Sequence, residues 1–198
     1  MTRNQALKID ALFGEWFSVA TRTDRADRSA AEKDVRSMAE HCNVAVSEIV
    51  WVDSPQAGSD EYKRRRCVAP ETTEASIWSS VRAPICGSTW DSIWGLLGNT
   101  RRAAIRDSVC GSLGPFLGES LWDSALDSVW DVHRVAWFHG GMLLGAECSQ
   151  QDSDRFSLLS AVLRSCFSVW IGRGWAIVCD RPTSVEIVNG RLVGADFA

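Results

Sequence analysis

The sequence predicts an α+β fold, a helix-rich single domain with a small β-sheet or hairpin near its C-terminus. Three observations predict it: apolar residues at helical spacing near the N-terminus, a four-residue repeat between Ile77 and Val132, and two β-prone runs around Asn189-Gly190. The 198 residues, 45% of them hydrophobic, suffice for one core but are few for two. We expect one domain over 1–198, made of N-terminal helices and a strand (1–56), a mobile basic loop (57–76), stacked short tetrad helices (77–146), and a helix with a β-hairpin (147–198).

In the N-terminal part, the sequence pattern predicts two helices followed by a strand. The first helix is expected from Asn4 to Ala20, because its apolar residues recur at helical spacing. Ser29-Ala30-Ala31-Glu32 has the pattern of a capping box, so a second helix is expected to begin there and to end near Cys42. Ile49-Val50-Trp51-Val52 is a compact β-prone run that predicts a short buried strand, ended by Asp53-Ser54-Pro55.

The four-residue repeat has an aliphatic residue at its first position, often Trp or Arg at the second, Asp or Gly at the third and Ser at the fourth, and Ala125-Leu126-Asp127-Ser128 is one of its clearest copies. Two apolar and two polar positions fit an amphipathic helix, and four residues advance about 400°, so the apolar stripe moves by about 40° per repeat. Gly and Pro divide the region into pieces of roughly 10 to 16 residues. Stacked short helices are therefore favoured. The alternative is a solenoid of extended sides, because Gly, Ser and Asp are poor residues for a helix interior.

The C-terminal part predicts a helix from Asp152 to Ile171 and a strand from Trp175 to Cys179. Val185 to Val188 and Arg191 to Val193 flank Asn189-Gly190, which is a strong hairpin signal because both turn residues tolerate positive φ. The strand at Ile49 is a further candidate member of this small sheet.

Five segments follow one another in an order more specific than any one of them: Ala26-Asp27-Arg28; Ala31-Glu32 with Val35-Arg36; Ile49-Val50-Trp51-Val52-Asp53-Ser54-Pro55; the Trp-Asp-Ser-Val type tetrads; and Asp180-Arg181-Pro182 with Asn189-Gly190-Arg191-Leu192. In this order they resemble, over nearly the whole chain, a family of bacterial proteins whose shared domain has no assigned function. The resemblance implies no catalytic residues. Members of that family continue past the Gly-Arg-Leu segment into a further strand, whereas only Val193 to Ala198 follow here. The resemblance therefore implies an unpaired strand edge, and we expect a homodimer or strand addition by a partner there.

Composition narrows the classes of function. The net charge of −4 argues against a general attraction to nucleic acid or anionic membranes. The cysteines are odd in number and form no Cys-x-x-Cys pair, which favours reduced thiols over a disulfide framework or a zinc cluster: Cys42, Cys67, Cys86, Cys110, Cys148, Cys166 and Cys179. No run suits a secretion signal or approaches roughly twenty apolar residues. We expect a cytoplasmic protein without a membrane segment or a cofactor.

Residues 56–74 are polar and carry the run Lys63-Arg64-Arg65-Arg66 beside Tyr62. We expect an exposed loop, with a solvated helix as the alternative, that tolerates replacement of these arginines by Ala. Tyr62, Lys63, Arg64, Arg65 and Arg66 are the candidate contacts to phosphates, although four positive charges in an acidic protein bind nucleic acid weakly.

Two other sets of residues are candidates for function. A tryptophan stripe within the tetrads favours burial in the core, because so much exposed Trp would promote aggregation, with a partner surface as the alternative: Trp78, Trp90, Trp94, Trp122 and Trp130. His133 and His139, with Cys148 nearby, could form a metal or thiol site, but their six-residue spacing is unlike the i, i+4 spacing of a helical metal site.

These observations lead to three hypotheses of function. The first is a non-enzymatic protein-interaction or structural module with an unidentified protein partner. The second is a small regulatory or toxin-like protein that contacts nucleic acid through Tyr62 to Arg66. The third is a hydrolase that depends on a thiol or a histidine, built around His133, His139 and Cys148.

Overall fold

The computed structural model describes residues 3–41, 43–68, 135–136, 139–143, 149–188 and 191–198. It confirms the predicted α+β class. The elements in chain order are α1 (Arg3–Ala20), α2 (Arg28–His41), β1 (Val46–Val52), α3 (Pro55–Val68), α4 (Gln150–Ser165), β2 (Ser168–Gly172), β3 (Gly174–Cys179), β4 (Ser184–Val188) and β5 (Arg191–Asp196). Of the predicted tetrad region, only 135–136 and 139–143 are described, and both are helical. The choice between stacked helices and a solenoid concerns residues outside the described part.

Helices α1 and α2 lie where the sequence predicts them, but the predicted capping box of α2 is wrong. The carboxylate of Asp27 accepts a hydrogen bond from the backbone N–H of Ala30 at 3.1 Å, so Asp27 caps the helix. Glu32 instead accepts a hydrogen bond from Nε1 of Trp51 at 3.0 Å. Glu32, whose carboxylate a capping box would use, therefore contacts β1 instead.

β1, β3 and β2 form a three-stranded sheet in that order. β1 runs parallel to β3, with Trp51 beside Val178, and β2 runs antiparallel to β3, with Gly172 beside Trp175. The turn between β2 and β3 ends in Gly174, whose φ of +84° lies in the left-handed region that favours glycine. The strand at Ile49 therefore joins the C-terminal strands, as considered from the sequence.

Helices cover both faces of this sheet. On one face, side chains of α1, α2 and α4 form the larger core with β2 and β3; its members include Trp16, Val35, Met38, Val162, Val169 and Val178. On the other face, α3 covers a smaller aromatic core that contains Trp170, Trp175, Ile177 and Cys179, with Tyr62 packed against it. Because both faces are covered, β2 and β3 are buried almost throughout.

Two predictions of secondary structure are wrong. The basic loop predicted for 57–76 is helical up to Val68, as the alternative had it, because α3 packs onto the aromatic face of the sheet. The helix predicted from Asp152 to Ile171 ends at Ser165. After that residue the backbone N–H of Phe167 donates to the carbonyl of Cys179 at 3.1 Å and begins the pairing of β2 with β3.

The predicted hairpin is confirmed. β4 and β5 pair antiparallel, with Val188 opposite Arg191, and they form a two-stranded sheet separate from the first. At the end of the hairpin away from its turn, the backbone N–H of Thr183 donates to the carbonyl of Asp196 at 2.7 Å. Phe197 then packs edge-on against Phe167, with ring centroids 5.4 Å apart, and ties the hairpin to the smaller core.

Candidate functional site

The basic segment, Tyr62 to Arg66, lies on α3, where Arg64 and Arg65 face carboxylates. Arg64 donates twice to Glu61, at 2.6 and 2.7 Å. Arg65 donates to Glu61 at 2.6 Å and twice to Glu48 of β1, at 2.7 and 2.9 Å. Two arginines and two glutamates therefore form a network that joins α3 to the edge of the sheet.

Arg65 and Tyr62 also belong to the aromatic core of this face. The guanidinium of Arg65 lies over the ring of Trp175, 5.3 Å from its centroid, and the ring of Tyr62 meets Trp175 edge-on at 6.2 Å. The side chain of Arg65 is only 14% exposed. These two side chains hold α3 on the sheet, so they are not free to reach a phosphate.

Charge pairing also fixes the protonation of this network. Hydrogen bonds from Arg64 and Arg65 lower the pKa of Glu61 to about 2, and the hydrogen bonds from Arg65 lower the pKa of Glu48. Both carboxylates are therefore ionised at neutral pH and cancel the charges of Arg64 and Arg65. Lys63 is exposed, and the side chain of Arg66 lies outside the described part of the structure. The hypothesis of nucleic-acid contact stays a prediction, with less positive charge behind it than the sequence suggests.

The structure brings together residues that sequence reasoning did not assign to a site. They lie at the carboxyl ends of the parallel strands β1 and β3, and we call them the strand-end cluster: Asp24, Arg28, Asp180 and Arg181. One carboxylate oxygen of Asp180 accepts hydrogen bonds from the backbone N–H groups of Ala26, at 3.0 Å, and Arg181, at 2.9 Å. The other oxygen lies 3.5 Å from the guanidinium of Arg28. Asp180 thereby joins the loop before α2 to the end of β3.

Arg181 is the fourth member of the strand-end cluster. Its side chain is 5% exposed, donates to the carboxylate of Asp24 at 2.9 Å, and contacts the carbonyl of Arg164 at the end of α4. Arg28 lies over the ring of Trp51, 4.8 Å from its centroid. The segments at Ala26, Trp51 and Asp180, which are far apart in the sequence, therefore meet here. Sequence reasoning missed this cluster because no spacing rule connects residues that are separated by 154 positions, as Ala26 and Asp180 are.

The candidate metal and thiol site is described only in part, since His133 and Cys148 lie outside the described residues. His139 is half-buried, and its ring meets Phe156 edge-on with centroids 5.5 Å apart. Within the described ranges, no group of three His, Cys, Asp or Glu side chains is placed to hold a metal ion. The five tryptophans of the candidate partner surface also lie outside the described residues.

Cys166 and Cys179 are free thiols buried against the sheet. Burial raises the pKa of Cys166 to about 12 and also raises the pKa of Cys179, because the thiolate form loses its hydration. Reactive cysteines need a lowered pKa and access to solvent, so these two act as small apolar groups of the core.

The β4–β5 hairpin is where the described structure exposes aliphatic side chains on a strand. Ile187 is 44% exposed and Val188 is 46% exposed. Neighbouring Glu186 is exposed as well, while Val185 is half-buried. Among the described residues, β4 pairs with β5 alone, so its other edge carries unpaired backbone groups.

No helix in the described part of the chain combines the length and the apolar character needed to cross a membrane. The chain matches no protein-family model, no curated protein and no solved structure.

Proposed function

We propose that this chain is a non-enzymatic interaction module, and that β4 pairs with the β4 of a second copy. The exposure of Ile187 and Val188, on a strand edge that pairs with no other strand in the described part of the chain, carries this proposal. Such an edge is a template for another strand, because its outward backbone groups can continue the ladder and its aliphatic side chains gain burial. The tryptophan stripe predicted within the tetrads, which lies outside the described residues, is a further candidate contact for a protein partner.

The anchoring of the hairpin supports a role in recognition. Hydrogen bonds from Thr183 and Ser184 to Asp196 close the base of the hairpin, and the packing of Phe197 on Phe167 attaches that base to the body of the protein. A strand held in place before binding loses little conformational entropy when a partner pairs with it. Isolated two-stranded hairpins are marginally stable in water, so an added strand would also stabilise β4 and β5.

The side chains of β4 favour one symmetric register. With Ile187 opposite Ile187 of the second copy, the alternating Val185 and Ile187 of both strands lie on one face and form an apolar patch. A register centred on Glu186 would place like charges opposite each other, which is unfavourable. The favoured register gives an isologous, two-fold dimer in which each copy contributes the same surface.

Light scattering over a dilution series tests the proposal. We expect the parent protein to be a dimer at high concentration that dissociates on dilution, and Ile187→Asp to be monomeric throughout, because it places two carboxylates opposite each other. Leu7→Asp is the matched control, since Leu7 is an exposed aliphatic residue of α1 and its replacement should leave the dimer intact. A parent protein that is monomeric at every concentration, or an Ile187→Asp variant that dimerises as well as the parent, contradicts the proposal.

The register has its own test. Opposite residues of an antiparallel pair have Cβ atoms about 4.5 to 5.5 Å apart, and a disulfide needs about 3.5 to 4.5 Å, so a small local movement brings two cysteines at this position within bonding distance. Under mild oxidation, Ile187→Cys should therefore give a covalent dimer linked through position 187, identified by mass spectrometry of the digested protein. Leu7→Cys should not be linked through position 7. A dimer that forms without the 187–187 link would exclude this register and leave another edge as the interface.

A further inference from the structure

His139 sits in a contact that favours the neutral imidazole. Its Nδ1 atom is buried and has no hydrogen-bond partner among the described residues, and its ring edge meets Phe156 of α4. A neutral imidazole can carry its proton on Nε2 and leave only the buried Nδ1 lone pair unsatisfied, whereas an imidazolium would place an N–H donor without an acceptor at Nδ1. The surroundings of His139 therefore disfavour its protonation.

Residues 139–143 form a short helical stretch. The residues that follow His139 in this stretch pack against α1 and the larger core. Gly140 and Gly141 are buried, and Gly140 lies close to the side chain of Leu12 in α1. Met142 packs against the larger core. The contact of His139 with Phe156 is thus one of the contacts by which this stretch is held.

The charged groups that face His139 in the described structure are Glu15 of α1 and Arg164 of α4. These two pair with each other at 2.6 Å, and Arg164 also lies over the ring of Trp16, 4.6 Å from its centroid. Glu15 attracts an imidazolium, but it is already bound to Arg164, which repels one. Burial and the charge of Arg164 together outweigh Glu15, so the pKa of His139 is lowered.

We propose that the contact of residues 139–143 with α1 and α4 is an acid-sensitive latch, which is closed while His139 is neutral and loosens when the imidazole takes up a proton. Because the pKa is lower in the closed state than the ordinary value of about 6.5, the open state binds more protons in acid. The latch is therefore fully stabilised above about pH 6.5 and weakens as the pH falls below that value.

Amide hydrogen exchange of residues 139–143 at pH 7.5 and pH 5.5 tests the latch. After correction for intrinsic rates, we expect opening to be favoured at pH 5.5 by at most about tenfold, because this pH lies about one unit below the ordinary imidazole pKa of about 6.5. His139→Phe keeps an aromatic ring against Phe156 but cannot be protonated, so its exchange should not respond to pH. His41→Phe, which changes an exposed histidine at the end of α2, should keep the full response.

A second measurement on the unaltered protein keeps the test independent of any variant's folding. The imidazole of His139, followed by nuclear magnetic resonance, should titrate with a midpoint below 6.5. A midpoint at or above 6.5, an exchange rate that ignores pH in the parent protein, or a pH response that persists in His139→Phe would overturn the proposal.

Discussion

Arg65 is a residue that the sequence predicts to be an exposed charge, whereas in the structure its side chain packs against the aromatic core. Its guanidinium binds Glu48 and Glu61 and covers Trp175, whereas its neighbour Arg64 binds Glu61 alone from a solvent-exposed position. Sequence alone treats the two as equivalent, because both belong to one basic run. The structure separates them by the direction in which the helix points each side chain.

We expect Arg65→Ala to lower the free energy of unfolding by about 1 to 2 kcal/mol, because the change removes a cation–π contact and the partly buried ion pair with Glu61. Arg64→Ala is the matched control and should have little effect, since exposed ion pairs contribute little. Urea denaturation followed by tryptophan fluorescence measures both. Equal stability of the two variants would show that Arg65 does not hold α3 on the sheet.

This difference also marks what the sequence could predict of the candidate site. Glu61 and Arg65 are four residues apart, so their pairing on a helix is a local signal, and it favours the helix over the loop. Glu48 lies 17 residues before Arg65 on another element. No spacing rule connects them, because the contact exists only once α3 has docked on the sheet.

Helix α3 packs closely against the sheet because one of its residues is a glycine, which has no side chain. Gly58 is buried, and a Cβ at this position would overlap the six-membered ring of Trp170. Glycine is a poor residue in a helix interior. Its presence in α3 therefore reflects the approach of Trp170 and not a helical preference.

Gly58→Ala should destabilise the protein by about 1 to 3 kcal/mol, because the Trp170 ring must move within a packed core. Gly14→Ala provides the opposite case: Gly14 lies in α1 with open space around it, so alanine should stabilise the protein by up to about 1 kcal/mol through helix propensity. Thermal unfolding of the two variants measures the difference. If Gly58→Ala gained stability as Gly14→Ala does, α3 would not pack against Trp170 as described.

The elements that could be predicted from sequence are those with strong local signals. α1 has apolar residues at helical spacing, and the β4–β5 hairpin has Asn189-Gly190 between two β-prone runs. β2 was missed because Val169, Trp170 and Ile171 directly follow the apolar residues of α4, and periodicity cannot separate a short buried strand from one more helical turn. Pairing with β3 decides its conformation, and that pairing is a tertiary event.

On the scale of the whole molecule, the strand-end cluster joins the N-terminal and C-terminal parts of the chain. Asp180 binds the backbone of Ala26, which is 154 residues away, and Arg181 links Asp24 to the end of α4. The same strand ends receive the Trp51 segment, because the backbone N–H of Asp180 donates to the carbonyl of Val52 at 2.9 Å. Elements far apart in sequence are therefore fixed at one point.

Replacing Asp180 tests whether this point holds the fold together. Asp180→Ala leaves the N–H groups of Ala26 and Arg181 without their acceptor in a buried place, and it removes the carboxylate facing Arg28, so we expect a loss of about 2 to 4 kcal/mol. Asp180→Asn keeps an oxygen that can accept both N–H bonds, so it should lose much less. Urea unfolding gives both values, and hydrogen exchange at the Ala26 amide should rise in Asp180→Ala only. If both variants were as stable as the parent, the cluster would be a consequence of the fold and not one of its supports.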